Sequence, residues 1–306
     1  MAYNYEYPYT DSGRYNDDWL IGKVKEVSEA QERLEERQDT LETFVETQEE
    51  TLEARLEPIA EDYIDSMIEA GAFYNKGAGA HNGIYRGKNL GTSVTLDQWA
   101  AIQSGDFDDL FIGDYWVING VTWRIAGFDY YLNMGDTNTT THHIVILPDS
   151  RLYTSGLNTE NSNEGGYAAV KTRGVLDDAE TAIQSAFGAS HILSHRIYIS
   201  TAINDGKVTT GAWADTICDL PNEIMVFGCP IYSAMNSGTT FPINRTVETS
   251  QLPLFTLDHS KISNRQPYWF RDPIINARFA NVDSSGFADQ SNASVALGIR
   301  PVFCIK

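Results

Sequence analysis

Cysteine, basic residues and long apolar runs are all scarce in this sequence. Only three cysteines occur in 306 residues, which excludes a disulfide framework and leaves at least one thiol unpaired within the chain. No run approaches the roughly 20 apolar residues that a membrane helix requires, and the first residues lack the basic and apolar regions of a signal peptide. We therefore expect a chain with no membrane span.

The shortage of basic residues makes the chain strongly acidic. Lys and Arg total 22 against 42 Asp and Glu, for a formal net charge of −20. This balance argues against nucleic-acid binding, where affinity comes from neutralising phosphates, and against docking on anionic lipid. Residues 1–73 hold 20 of the acidic and 6 of the basic residues. The Glu-rich composition ends near Gly71, which predicts a domain boundary there.

The first 18 residues combine closely spaced tyrosines with no periodic apolar face. Such a segment has no core of its own, but aromatic side chains with a polar tip are favoured where a segment is buried against a partner. We expect residues 1–18 to be an anchor peptide that becomes ordered on a larger assembly; the alternative is a frayed terminus. The anchor side chains are Tyr3, Tyr5, Tyr7 and Tyr9.

Residues 19–73 are predicted to form a coiled-coil stalk. The segment 23–57 contains neither glycine nor proline, and its apolar residues recur with a spacing of seven. The apolar stripe has the narrow width of a coiled-coil seam, and the remaining faces are too acidic for a lone helix. Parallel association places Arg37 beside Glu42 of a neighbouring strand, and two glutamine layers favour a homotrimer over a dimer. The seam residues are Leu20, Val24, Val27, Gln31, Leu34, Gln38, Leu41, Val45, Leu52 and Ile59.

The region after the stalk is predicted to change character twice. Pro58 permits a new start, so a short second helix is expected to end at Gly71. Residues 74–94 are rich in glycine and match no phosphate-binding pattern. They are interpreted as a linker or neck.

Residues 95–306 are predicted to form a mixed α+β domain, so the chain as a whole belongs to the α+β class. A helix is expected over 95–105, with Thr95 as its N-cap and Gly105 as its stop. The pair Asn119-Gly120 predicts a β-hairpin, and a second helix is expected over 174–188. Further strands are predicted in HHIVILPD, HRIYIS, EIMVFG, YWFRD and GIRPVFCI.

Several of these segments together carry a resemblance to a known family. GDYWVINGVTWRI, EIMVFG, QLPLF, YWFRD and the closing GIRPVFCI make residues 96–306 resemble a C-type-lectin-like domain of the formylglycine-generating-enzyme type. The likeness is specifically to a bacterial and phage family in which W-x-R-[DS] and G-[IFV]-R-P strands flank a surface loop. The N-terminal third, including DDWLIGKVKE, is similar to fibre proteins of tailed phages that infect Gram-positive gut bacteria. The resemblance implies a virion fibre with an anchor, a trimeric stalk and a lectin-like tip.

The predicted tip loop, residues 272–297, agrees with a binding role. It is rich in Asn, Asp, Ser, Gln and Arg, with phenylalanines among them. Planar amides and carboxylates bind sugar hydroxyls, and aromatic faces stack on sugar rings; a solvated connection is the alternative. Arg271 and Arg300 are more readily explained as structural ion-pair partners. The candidate ligand-binding residues are Trp269, Arg271, Asp272, Asn276, Arg278, Phe279, Asn281, Asp283, Phe287, Asp289, Gln290 and Asn292.

Metal and enzyme sites are not indicated. His142 and His143 are adjacent in a predicted strand and so point to opposite faces. His191 and His195 have helical chelate spacing without a third ligand, and the aspartate clusters lack EF-hand spacing. No G-x-S-x-G motif occurs, and the cysteines are interpreted as small core residues. We expect no metal, no cofactor and no enzymatic activity.

The sequence therefore predicts a structural fibre on the surface of a tailed-phage virion. Its N-terminal peptide is expected to bind a capsid or tail protein, and its tip a glycan or protein of the host cell surface. Three copies multiply a weak site into usable avidity. Two alternatives are a capsid-decorating fibre without a specific receptor and a cell-wall-degrading tail enzyme.

Overall fold

The computed structural model is α+β, with one long N-terminal helix and a β-rich C-terminal part. It divides into two compact units, Met1–Phe73 and Tyr74–Lys306. No helix of the described residues is both long and apolar enough to cross a membrane. The described residues are 17–69, 76–204, 207–233, 248–274 and 277–306.

Along the second unit, a pair of α-helices precedes each of three groups of strands. The α-helices are α1 Asp17–Glu69, α2 Ala78–His81, α3 Leu96–Ser104, α4 Gly166–Thr172, α5 Asp177–Phe187, α6 Glu223–Phe227 and α7 Pro253–Leu257. The strands are β1 Tyr115–Ile118, β2 Val121–Phe128, β3 Ile144–Pro148, β4 Tyr153–Ser155, β5 His195–Asn204, β6 Lys207–Thr216, β7 Tyr268–Ile274, β8 Arg278–Val282, β9 Ala288–Asn292, β10 Leu297–Ile299 and β11 Phe303–Ile305.

The helix α1 forms the described part of the first unit, and it runs through Pro58. The prediction of a new helix beginning at Pro58 was wrong. Proline removes one backbone hydrogen bond and costs about 3 kcal/mol in a helix interior, but Glu, Ala, Leu and Arg around it are strong helix formers. A single missing bond therefore does not divide a helix of 53 residues. Gly71 lies outside the described residues.

The strands of the second unit form three sheets. A four-stranded antiparallel sheet has the order β1-β2-β3-β11, and a five-stranded mixed sheet has the order β4-β10-β7-β8-β9. The strands β5 and β6 form a separate two-stranded ribbon. The closing sequence GIRPVFCI contributes β10 to the five-stranded sheet and β11 to the four-stranded sheet, so it links the two.

Two locally encoded elements formed as the sequence predicts. Thr95 Oγ1 accepts a hydrogen bond from Gln98 N (3.2 Å), and Gln98 Oε1 accepts one from Thr95 N (3.0 Å), which makes a capping box at the start of α3. Asn119 and Gly120 both have positive φ, at 53° and 77°. This is the backbone that a two-residue turn with matching twist requires between β1 and β2.

The core of the second unit is aromatic where helix α5 meets the four-stranded sheet. The ring centroids of Trp123, Phe187 and Phe303 lie 5.4–5.7 Å apart. Leu176, Ala179, Ile183 and Phe187 are all buried, as the spacing of the predicted helix over 174–188 requires. Burial of rings of this size dominates the stability of such a core.

The segment predicted as a neck is instead packed into the second unit. His81 is buried, with Nδ1 2.5 Å from Leu110 O. Arg86 Nη2 lies 2.6 Å from Asp114 Oδ2, and Lys88 N donates to Asp114 Oδ1 at 2.8 Å. The carboxylate of Asp114 is fully buried, and its bonds to Arg86 and Lys88 hold residues 76–94 in the second unit. These residues are therefore not a free linker, and the unit does not begin at residue 95.

Another prediction that the structure contradicts concerns EIMVFG, which forms helix α6 and not a strand. Asn222 Oδ1 caps the helix by accepting from Met225 N (2.7 Å), and Gly228 ends it with a φ of 80°. The periodicity of a short apolar run does not distinguish a strand from a buried helix. The capping residues at both ends of this run are the signal that indicates a helix.

Candidate functional site

The apolar side chains of α1 are exposed along the whole predicted seam. Exposed fractions run from 40% at Leu20 to 66% at Val27. Gln31 Nε2 and Gln38 Nε2 donate to Glu35 Oε1 and Glu42 Oε1 one turn later. The exposed apolar seam residues are Leu20, Val24, Val27, Leu34, Leu41, Val45, Leu52 and Ile59. In the described part of the first unit, no other apolar side chains pack over the seam.

Apolar residues beside this seam are exposed as well. Ile21, Phe44 and Leu56 are exposed by 58–66%. Leu56 lies where the sequence predicts a phase shift of the seam, whereas Ile21 and Phe44 were not among the predicted seam residues. All three occupy positions next to the seam in the heptad, where a helix with more than one neighbour buries side chains. The sequence contains the signal for these residues, because each is an apolar residue at a flanking heptad position and most of the other flanking positions are polar.

Part of the predicted ligand-binding set is buried. Trp269 is fully buried, and its Nε1 donates to Ser155 O at 2.8 Å. Arg271 and Phe279 are also buried, and Arg271 is paired with Glu248. These side chains support the sheet from within and do not face a ligand. Asn276 and the anchor residues Tyr3, Tyr5, Tyr7 and Tyr9 lie outside the described residues.

The segment predicted as a tip loop is about half β-structure. Strands β7, β8 and β9 supply 13 of its 26 residues, and β9 is the last strand of its sheet. Residues 289–292 of β9 are all polar, because a strand with one neighbour at the edge of a sheet is accessible to solvent. A run of four polar residues resembles a loop in the sequence, which explains the error.

The register of β8 and β9 sorts the candidate residues onto two faces. Asn281 lies opposite Asp289, and Phe279 lies opposite Ser291. Side chains of directly opposed residues share a face, and Asn281 Nδ2 donates to Ser291 Oγ at 3.0 Å on this one. We call Asn281, Asp283, Phe287, Asp289 and Ser291 the acceptor face. Ser291 was not among the sequence candidates, although its position two residues after Asp289 predicts it.

The other face of the same two strands carries the remaining candidates. Arg278 lies opposite Asn292, and Arg278 Nε donates to Asn292 Oδ1 at 3.2 Å. Gln290 lies opposite Ala280, which is buried. The structure therefore separates Arg278, Gln290 and Asn292 from Phe287 and Asp289, although they are close in sequence.

The turn between β8 and β9 holds Phe287 in place. Asp283 Oδ1 accepts from Ser285 N (2.7 Å) and from Phe287 N (2.9 Å), and Asp283 N donates to Phe287 O (2.9 Å). Gly286 has a φ of 92°, and a Cβ at this position would lie 2.8 Å from Ser263 Cβ. Phe287 is nevertheless 71% exposed. A large apolar ring on a turn fixed by its backbone is pre-organised for contact with a partner.

The carboxyl groups of Glu223 and Asp272 lie near each other at the start of α6. Glu223 is fully buried, and its carboxylate accepts from Ile231 N (2.8 Å), Tyr232 N (3.0 Å) and Ser233 N (2.7 Å). Asp272 Oδ2 accepts from Glu223 N (2.6 Å). Burial raises the pKa of Asp272 to about 7, against the opposing charge of Arg271. Asp272, a sequence candidate, therefore fixes the start of α6.

The histidines and cysteines are placed differently from expectation in two respects. His142 and His143 precede β3, and both approach Asp129, with Nδ1 to carboxylate distances of 2.7 and 3.8 Å. Both imidazoles therefore approach the same carboxylate, whereas adjacent residues within a strand would point to opposite faces. Cys218 and Cys304 are buried, but Cys229 is exposed and not in the core. Among the described residues no group of three or more His, Cys, Asp or Glu has a geometry suited to a metal ion.

Arg300 has a different role from the ion-pair partner that the sequence suggested. Its Nε donates to Pro148 O (2.9 Å) and its Nη1 to Lys261 O (3.0 Å), and the guanidinium lies 5.0 Å from the Tyr268 ring centroid. No carboxylate pairs with it among the described residues. Arg300 thus ties the end of β3 to the segment that contains Lys261.

Two surfaces therefore present uncovered binding groups: the seam of α1 and the acceptor face at the edge of the five-stranded sheet. Comparison of the chain with protein-family models, with curated proteins and with solved structures gives no match.

Proposed function

We propose that this chain is a structural fibre protein of a tailed-phage virion, exposed on the particle surface and used for host attachment. Residues 1–18 attach it to a capsid or tail protein, α1 joins identical copies in a parallel homotrimer, and the second unit is a tip that binds a host-surface glycan or protein. The observation that carries the proposal is a 53-residue helix whose apolar seam is exposed along its length.

The seam supports self-association because exposing so many apolar side chains to water is energetically unfavourable. Burial of each exposed Leu or Val contributes about 1.5–3 kcal/mol, and the heptad repeat aligns them for another copy of the same helix. The flanking positions support a parallel arrangement. Glu35, Glu42 and Glu49 lie on one flank, and Arg37 and Phe44 on the other. Antiparallel copies would oppose the acidic flanks to each other.

A C-type-lectin-like fold is part of this proposal for the tip. It is supported by the closing strand β11, which returns to the sheet built from β1, β2 and β3, and by the helices α3 and α5. It is also supported by the W-x-R-D and G-I-R-P segments, whose arginines Arg271 and Arg300 are buried. The acceptor face lies at the end of the second sheet, where a strand edge is accessible to a receptor.

The experiment is a cell-adsorption assay with the purified full-length chain on a panel of Gram-positive gut bacteria. Phe287→Ala removes the exposed ring and is expected to lower adsorption about tenfold or more, because truncating a central aromatic anchor costs over 1.4 kcal/mol. Gln290→Ala, on the same strand but the opposite face, is the matched control. Unchanged adsorption of the Phe287 variant would remove the acceptor face as the receptor site, and absence of adsorption to every strain would remove the attachment role.

A further inference from the structure

Lys171 and Asp219 form a largely buried ion pair in the second unit. Lys171 Nζ lies 2.9 Å from Asp219 Oδ1, and the two side chains are 20% and 6% exposed. Thr216 Oγ1 (2.8 Å) and the backbone oxygen of Cys218 (3.2 Å) also accept hydrogen bonds from the amine. The nitrogen of Lys171 is therefore held in one place against a single carboxylate oxygen.

The other oxygen of this carboxylate has no donor. Asp219 Oδ2 is buried and has no hydrogen-bond partner among the described residues. Arg124 and Arg271, by contrast, each bond both oxygens of the carboxylate with which they pair. A buried ion pair compensates for its lost hydration only where the remaining lone pairs are also satisfied. The unpaired oxygen is therefore destabilising, and a simple salt bridge does not account for it.

Hydrogen bonds fix the two side chains with respect to each other. Asp219 N donates to Val302 O (3.0 Å), and Val302 N donates to Asp219 O (2.7 Å). Leu220 N donates to the hydroxyl oxygen of Tyr167 at 2.9 Å, and Tyr167 lies one turn before Lys171 on α4. The helix that carries the amine is thus bonded directly to the segment that carries the carboxylate.

This geometry is close to the one in which an amine attacks a carboxyl carbon. The carbon Cγ of Asp219 is one bond beyond Oδ1, so Lys171 Nζ lies within about 4 Å of it. Groups whose reacting atoms are held about 3–3.5 Å apart reach effective molarities of about 10⁵–10⁸ M. Cys218 and Leu220, on either side of Asp219, are buried, so the site is shielded from the bulk water that would reverse the reaction.

A carboxyl that exchanges protons lies near the pair. Burial raises the pKa of Glu180 on α5, and the charges of Lys171 and Asp219 also act on it. General acid–base catalysis is most efficient when the pKa of the carboxyl is closer to the working pH. Such a group assists the passage of protons from an amine to a departing oxygen.

We propose that Lys171 and Asp219 become joined by an isopeptide bond in the folded protein. The ammonium gives one proton to the carboxylate, and the lone pair of Nζ then forms a bond to Cγ. A second proton passes from Nζ to the departing oxygen, the Cγ–Oδ2 bond breaks, and one water leaves. The two charges cancel, so the step needs no oxidant or other reactant, and the oxygen without a donor is removed. The bond is independent of the proposed attachment function.

An exposed pair with a similar contact distance provides the comparison. Lys88 Nζ lies 2.8 Å from Asp109 Oδ2, but these side chains are 49% and 65% exposed. Hydrogen bonding to the Arg86 guanidinium lowers the pKa of Asp109, so this carboxylate stays ionised and is a poor target for an amine. We expect no bond between Lys88 and Asp109.

The test is the mass of the purified full-length chain, measured by mass spectrometry under denaturing conditions. The wild type is expected to be lighter than its sequence by one water. Its tryptic digest is expected to contain residues 152–173 joined to residues 208–245, the two peptides that carry Lys171 and Asp219. Lys171→Arg keeps the positive charge but not the nucleophilic amine, and it is expected to have the full mass of its sequence. Lys88→Arg is the matched control and is expected to retain the loss of one water.

The joined peptide, present in the wild type and absent from Lys171→Arg, would support the bond. A wild-type chain with the full mass of its sequence would overturn it, and this result does not depend on whether any variant folds. A lost water that maps to one linear peptide would also overturn it, because an aspartate loses water when its side chain closes on its own backbone. Retention of the loss in Lys171→Arg would have the same meaning.

Discussion

Arg271 and Glu248 form a bidentate ion pair inside the second unit. Arg271 Nη1 lies 2.8 Å from Glu248 Oε1, and Nη2 bonds the other carboxylate oxygen. Tyr131 also donates its hydroxyl to Glu248 Oε1 at 2.8 Å. All three groups are buried. The interpretation of Arg271 as a structural ion-pair partner is thus confirmed, and its guanidinium is committed to a carboxylate on another segment of the chain.

Removal of this arginine is expected to destabilise the fold. Arg271→Leu leaves Glu248 as a buried charge without its partner, which costs about 3–5 kcal/mol. The measurement is the midpoint of urea unfolding followed by tryptophan fluorescence. Arg278→Leu is the matched control, because among the described residues the Arg278 side chain makes a single hydrogen bond, to Asn292, and its loss is expected to cost about 1 kcal/mol or less. Equal losses in the two variants would contradict a structural role for the ion pair.

Asp272 is expected to make the protein less stable as pH rises from about 4 to 7. Its pKa is about 7 in the folded chain and 3.8 ordinarily, so in this window the folded state retains a proton that the unfolded state has released. Stability then falls with pH by up to about 1.4 kcal/mol for each pH unit. Asp272→Asn, measured by urea unfolding at pH 4.5 and 7, is expected to remove this decline relative to the wild type. If the free energy of unfolding changed with pH equally in both proteins, Asp272 would not be the cause of the decline.

His195 is expected to have the opposite effect. Burial lowers its pKa to about 4 from an ordinary 6.5, and its ring packs against Tyr131 at a tilt of 39° with centroids 4.0 Å apart. The unfolded chain binds a proton below pH 6.5 and the folded chain resists it, so stability falls as pH drops from 6.5 to 4. His195→Phe keeps a ring against Tyr131 and is expected to weaken this acid-side loss. Thermal unfolding at pH 4.5 and 6.5 tests it.

The seam of α1 is expected to determine the number of copies in solution. Leu41→Asp places a charge in the seam and is expected to dissociate the proposed trimer to monomers at micromolar concentration, because a desolvated unpaired charge is costly. Thr43→Asp, on the outer face of the same helical turn, is the control and is expected to leave the trimer intact. Sedimentation equilibrium provides the measurement. A monomeric wild-type chain would contradict the stalk.

The parts of the fold that the sequence predicted are those encoded by a few neighbouring residues. The capping box of Thr95 and Gln98 and the turn of Asn119 and Gly120 each depend on contacts within four positions of the chain. The helix over Asp177–Phe187 followed from the spacing of its apolar side chains. Such signals are complete within the segment that carries them, so no knowledge of the tertiary structure was needed.

The parts that the sequence did not predict depend on distant partners. Residues 76–94 resemble a linker until Asp114 is known to bind Arg86 and Lys88 N. The candidate site was half predicted: Phe287 and Asp289 are accessible, whereas Trp269 and Arg271 are buried by segments far away in the chain. Asn281 and Ser291 were placed on one face only by the pairing of β8 with β9. Strand register is not contained in composition, which is why the loop interpretation failed.

The edge position of β9 has a consequence for how this protein can change over time. A strand with a single neighbour keeps its backbone ladder through β8, whatever side chains it carries outward. Replacement of Phe287, Asp289 or Ser291 alters the chemistry that the unit presents and leaves the aromatic interior unchanged. The surface that we propose for receptor binding can therefore vary, residue by residue, while the buried scaffold stays the same.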